Sequence, residues 1–187
     1  MAAETEVDRA VDRGFEFLRK SQREDGAFDQ NIAVHGLAVM AFLARGHVPG
    51  SGPDGERVER GLGFTISEQR EDGAILGRGG RMYGHGICSL LLAEAAGMSK
   101  NDRVMAALRK ACELILRAQA EPKSPQHTGG WRYEPRSRDA DISVTGWQLL
   151  ALRAAKDCGV KIPGEAIESA VGFVKRCAAR NGFARTR

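Results

Sequence analysis

Two kinds of apolar pattern alternate along the chain. In the first, apolar residues fall three and four apart with charges between them, as in Val11, Phe15 and Leu18, or Leu108, Ala111, Leu114 and Ile115. That spacing lays one apolar stripe along an amphipathic helix. In the second, apolar residues run almost without a break: VHGLAVMAFLARG from Val34, GHGICSLLLAEAAG from Gly84 and VTGWQLLALRAAKDCG from Val144. These segments carry few charges before their last turns, so they are expected to bury most of their circumference. Gly26, Gly73 and Gly129 separate the two kinds, each predicted to end a helix and give a tight exit at positive φ. Gly46, Gly97 and Gly159 are expected to stop the apolar helices, with Pro49 and Pro163 close behind two of them.

The alternation is a repeat. Val11–Ala27 and Val58–Ala74 are identical at 10 of 17 positions, at an offset of 47 residues. A looser third copy holds Lys110-Ala111, Leu114-Ile115 and Gln119, then an insertion, then Gly129-Gly130-Trp131. A fourth keeps Ala170, Phe173-Val174 and Asn181-Gly182 without the glutamine. Gly36, Gly86 and Gly146 align in the apolar segments. The unit is an α-hairpin of about 50 residues, a usual length for helical repeats. The expected architecture is a single all-α domain of seven helices, with repeats at about 5–50, 51–100 and 101–163 and an incomplete one at 164–187. Charged helices form an outer layer over apolar inner ones. The unfinished last repeat leaves a face uncovered unless a second copy or a partner chain covers it.

Composition narrows the partners. The 28 basic residues are interspersed with 24 acidic ones, for a net charge of +4, which describes a solvated surface and not a nucleic-acid track. No stretch approaches the roughly 20 apolar residues of a membrane helix. The start, MAAETEVDRAVDR, holds four acids and no apolar run, unlike a signal peptide. Cys88, Cys112, Cys158 and Cys177 lack metal-ligand spacing and read as free thiols within helices, which places the chain in a reducing cytoplasm. No cofactor and no metal site is expected.

Arg13-Gly14, Phe17-Leu18, Gln22, Gly26 and Phe28 resemble the QW motif of squalene-hopene and oxidosqualene cyclases, with phenylalanine in the tryptophan slot. Arg60-Gly61, Phe64, Gln69 and Gly73 repeat it with Ile75 in that slot, and the third copy supplies Trp131 itself. The wider group includes protein prenyltransferase β subunits and thioester-containing complement domains. The resemblance implies an α/α toroid, with inner helices around a central cavity. This chain would form a partial arc of about 3.5 hairpins. It also implies that Gln22, Gln69 and Gln119 tie the end of each outer helix to the start of the next inner one, with Trp131 stacked over the junction.

Catalytic residues of these relatives stand at the starts of inner helices. Against the DxDDT of class II terpene cyclases, Asp141 takes the first position, Ser143 the proton donor, Val144 the third acid and Thr145 the threonine. A serine hydroxyl cannot replace a strong Brønsted acid. A slipped register, Asp139-Ala-Asp141-Ile, restores the middle acid at the cost of the helix alignment. Against the prenyltransferase zinc site, Asp141 fits, Ser143 replaces the cysteine, and His85 lies about one residue out of register. DDxxD and the Cys-Gly-Glu-Gln thioester sequence are absent.

On chemistry alone, Asp141 and Ser143 read as helix caps, and Asp139 as a partner for Arg136 or Arg138. His35, His85 and Thr145 occupy one repeat position and are expected as a polar ring at the cavity mouth. Tyr83, Tyr133, Trp131 and Trp147 would wall the cavity. Arg78, Arg81, Arg132, Arg136 and Arg138 form either a solvated rim or a grip for phosphate or carboxylate. The expectation is a terpene cyclase/prenyltransferase-like repeat domain that binds an isoprenoid or other apolar small molecule, or serves in assembly, and lacks the usual catalytic acid. The alternative is an isoprenoid-processing enzyme that uses Asp141 or Asp139.

Overall fold

The computed structural model describes residues 5–180, and within them every regular element is a helix. In chain order these are α1 (Glu6–Ser21), α2 (Ile32–Ala44), α3 (Gly55–Ser67), α4 (Arg81–Met98), α5 (Asp102–Ala120), α6 (Ile142–Asp157) and α7 (Gly164–Arg180). Polar residues fix several of the starts. Thr5 and Asp8 form a reciprocal capping box at α1, while Asn31, Asn101 and Asp141 accept first-turn N–H groups at α2, α5 and α6. These caps carry α2 and α6 back two residues beyond their apolar runs.

Two rows of helices result. Helices α2, α4 and α6 lie side by side, and α3, α5 and α7 pack on α2, α4 and α6 respectively. The first row is close-packed because two of its glycines are contact points. A Cβ on Gly36 would lie 3.0 Å from Ile87 Cγ2, and one on Gly86 only 2.5 Å from Gln148 Nε2. The hydrophobic core fills the space between the rows, around Phe42, Leu91, Leu92, Leu108, Ile115, Trp131 and Leu152. Burying each aliphatic side chain of this size contributes about 2 kcal/mol. Cys88 and Cys112 belong to this core, while Cys158 and Cys177 are half-buried and all four thiols are free. Burial drives the Cys88 thiol pKa far up and pushes that of Cys112 up to about 12.

The repeat is written in hydrogen bonds. Gln22 Nε2 donates to Gly26 O (3.1 Å) and Arg57 O (2.8 Å), Gln69 to Gly73 O (3.2 Å) and Ala107 O (2.9 Å), and Gln119 to Gly129 O (2.9 Å) and Ala166 O (2.8 Å). Each glutamine therefore joins its own loop to the next helix of the α3–α5–α7 row. The expected tie to the next inner helix is corrected, because the carbonyls that the glutamines reach, Arg57 O, Ala107 O and Ala166 O, belong to the outer row. The loop glycines also differ from expectation. Helices α1, α3 and α5 end before them, and the glycines instead seat each loop against that same neighbour. With φ near +90°, Gly26, Gly73 and Gly129 bring their Cα atoms so close that a Cβ would lie 2.4, 2.2 and 2.2 Å from Arg60 O, Lys110 O and Ser169 O.

Gly97 does not stop its helix. Helix α4 runs through it to Met98, and Ser99 closes the end by donating its N–H and its hydroxyl to Ala95 O.

Candidate functional site

The loop from Trp131 to Asp141 crosses the start of α6 and then touches the start of α4. Its two ends are held together by the Asp141 N–H, which donates to Trp131 O (2.8 Å), and its middle by the Met82 N–H, which donates to Tyr133 O (3.0 Å). Gln148, wholly buried on α6, donates Nε2–H to Met82 O (2.7 Å), so the first turn of α4 is gripped from two sides.

This frame aligns a polar chain. The Tyr83 hydroxyl donates to Ser143 Oγ, and the Ser143 hydroxyl donates to Asp141 Oδ1 (2.5 Å). The same carboxylate oxygen accepts the N–H groups of Ser143 (2.9 Å) and Val144 (3.1 Å). Burial resists ionisation of Asp141. The Ser143 hydroxyl, the two N–H groups and the Arg132 charge outweigh it and hold the carboxyl below the ordinary range. Asp141 is thus a capped anion at neutral pH, unsuited to donating a proton.

Aromatic faces border the chain. Tyr83 and Tyr133 lie nearly parallel, with ring centroids 6.3 Å apart, and the Arg132 guanidinium sits 4.7 Å above Tyr133. Arg132 is also the partner of Asp139, at 3.5 Å, in place of the expected Arg136 or Arg138. Arg81 pairs with Glu134 at 3.3 Å. Beside Tyr83 and Tyr133 an open pocket of about 390 Å³ extends to Asn31, Ala33, Gly79 and Gly80.

The other predicted site residues lie elsewhere. His35 is fully buried, with its ring turned toward α3: Nδ1 accepts the Phe28 N–H (3.2 Å), and Nε2–H donates to Gly61 O (3.1 Å). His85 does the same against α5, with Nδ1 accepting the Ile75 N–H (3.1 Å) and Nε2–H donating to Ala111 O (3.2 Å). In the third repeat Thr145 takes the Trp131 N–H (3.0 Å), and the Trp131 indole donates to Ile115 O (2.8 Å). These four side chains fasten loops to helices inside the core, and they do not form a polar ring around a cavity. Burial holds the pKa of His35 and of His85 at about 4, so both rings are neutral. Trp147 is half-buried on α6, its Cβ against Gly86 of α4. Among the described residues, no group of three or more His, Cys, Asp or Glu side chains could hold a metal ion.

Two polar features escaped the sequence. Asp54 is buried and pairs with Arg19 and Arg57, which knits α1 to the start of α3. Gln148 Oε1 is buried without a partner. A Pro-Asp-Gly turn gave no sign of the first, and an apolar helix gave little sign of the second.

Comparison with known proteins narrows the relationship. No family profile matches the chain, and no solved structure matches it. The chain is similar to squalene–hopene cyclases. A protein of Sinorhizobium fredii named "Probable squalene--hopene cyclase" is 27% identical over 215 residues, covering 97% of this chain and 31% of the relative. The squalene–hopene cyclase of Bradyrhizobium diazoefficiens is 27% identical over 184 residues, covering 81% of this chain and 26% of the relative. The chain thus spans less than a third of the length of either. The likeness supports a distant, terpene cyclase-like relation. No helix among the described residues is long and apolar enough to cross a membrane.

Proposed function

We propose that this chain is a terpene cyclase-like repeat domain, its helical hairpins forming an arc of an α/α toroid, that binds an isoprenoid or another apolar small molecule without protonating it. The bound molecule lies along the α2–α4–α6 row, at the helix starts that carry Tyr83, Tyr133 and Ser143. The squalene–hopene cyclase likeness supports the ligand class, and the repeated glutamine and glycine contacts support the QW-type repeat. One observation carries the loss of acid catalysis: Asp141 is held as an anion by two N–H groups and a hydroxyl, and Ser143 occupies the place of the proton donor. Reactions that begin with protonation of an alkene need a carboxylic acid kept neutral by its surroundings.

Squalene dispersed in detergent micelles provides the test. Quenching of Trp147 fluorescence should report binding that Tyr83→Ala weakens, with no cyclised product on prolonged incubation. Product that disappears with Asp141→Asn or Asp139→Asn would instead establish the alternative, an isoprenoid-processing enzyme.

A further inference from the structure

The aromatic packing of the first repeat is missing from the third. Phe15, Phe42 and His47 form a cluster, with ring centroids 5.1 Å apart for Phe15 and Phe42, 6.1 Å for Phe15 and His47 and 5.8 Å for Phe42 and His47. The repeat fixes their counterparts. Phe15 and Cys112 each stand seven residues before a junction glutamine, Gln22 or Gln119. The turns leaving α2 and α6 share one geometry, the His47 N–H donating to Phe42 O (3.1 Å) and the Val160 N–H to Ala155 O (3.0 Å), just past glycines at φ +83° and +86°. Cys112, Ala155 and Val160 therefore stand where the first repeat has three rings. Side chains that small do not fill the same space. A pocket of about 420 Å³ lies there, with Cys112, Leu116 and Val160 among its walls. Its volume is that of a small-molecule site.

The rim changes together with the floor. Counted from the same glutamines, Asp12 gives way to Arg109, and in the turn Val48 gives way to Lys161. Arg109, Lys161 and Glu113 border the pocket, and all three are exposed. Two cations against one acid leave it net positive. Among the described residues, neither cation is in an ion pair. In the first repeat, guanidinium groups lie over the ring at this position, Arg45 at 5.1 Å and Arg19 at 6.0 Å from the Phe15 centroid.

We propose that this pocket binds a small aromatic carboxylate of one or two fused rings, its ring in the space that Phe15 fills in the first repeat and its carboxylate toward Arg109 and Lys161. Arg109 suits both parts, since a guanidinium pairs with carboxylates and stacks on aromatic faces. Cys112 is a wall of the pocket and not a nucleophile, because burial keeps its thiol un-ionised. Every wall belongs to α5 or to the turn that leaves α6. No residue is shared with the pocket beside Tyr83 and Tyr133, so this site stands apart from the isoprenoid one.

Isothermal titration calorimetry with naphthoate at low salt, on the full 187-residue chain, tests the assignment. The expected result is one-to-one binding, weaker by about tenfold for the neutral analogue naphthamide. Lys161→Glu changes an exposed side chain and should weaken naphthoate by about tenfold without lowering the melting temperature. Cys112→Phe should abolish binding and melt no lower than the parent, because the new ring enters the space the ligand would take. No heat of binding at millimolar naphthoate, equal affinity for naphthamide, indifference to Lys161→Glu, or undiminished binding by Cys112→Phe would each overturn the proposal.

Discussion

The first two loops of the repeat and the third perform one task with different chemistry. In the first two, a single histidine ring accepts the loop N–H at Nδ1 and donates its Nε2–H to a carbonyl of the next outer helix. In the third the task is divided. Thr145 takes the N–H, while the Trp131 indole binds Ile115 O, within the helix that precedes its own loop. A shared backbone geometry thus admits two solutions, and only the histidine one requires a neutral titratable ring. Acid should therefore loosen the histidine fastenings of the first two loops, whereas the Thr145 and Trp131 fastenings of the third do not titrate.

The largest expected effect follows from that difference. The folded pKa of His35 and of His85, about 4, lies below the ordinary 6.5, so the unfolded chain binds more protons between those values. Their contribution is whole above pH 6.5, shrinks as pH falls toward 4 and is gone below it. The loss is about 3 kcal/mol for each ring. Urea unfolding at pH 7 and pH 4.5 should show it, and a His35→Thr, His85→Thr double variant should flatten the dependence while being less stable at pH 7.

Gly73→Ala should cost about 4 kcal/mol at any pH, because the new Cβ at φ +89° meets Lys110 O at 2.2 Å. The matching Gly129→Ala should cost as much, since this contact is common to both kinds of loop. Trp131→Phe should cost about 2 kcal/mol by removing the indole donor to Ile115 O and leaving space in the core, with no change in the pH profile. Gln69→Ala should cost about 1 kcal/mol in the same assay, because its two carbonyl partners lie where water can partly replace it.

The helices and their alternation were legible because apolar spacing reports directly which face is buried. What spacing cannot report is which neighbour covers that face. Gln22, Gln69 and Gln119 were correctly read as ties, yet their target lies 35 to 47 residues onward in the outer row. The histidines were misplaced for a related reason. Being one residue before the row-contact glycines, they stand about 100° around the helix from them, toward the outer row. A usable signal did exist: His35, Val39 and Phe42 follow the i, i+4, i+7 spacing of a core stripe. Asp141 and Ser143 were legible as caps because capping is local. Tyr83, 60 residues away, could be joined to Ser143 only by the fold.

Cys88 and Cys112 also have a practical use. Their thiols sit in the core with ionisation suppressed by burial, while Cys158 and Cys177 are half-buried. Only the thiolate reacts with alkylating reagents, so the two inner sulfurs should stay unmodified until the packing of α4 on α5 opens. The rate at which they capture a label, followed by mass spectrometry of the wild-type chain, would time that opening directly.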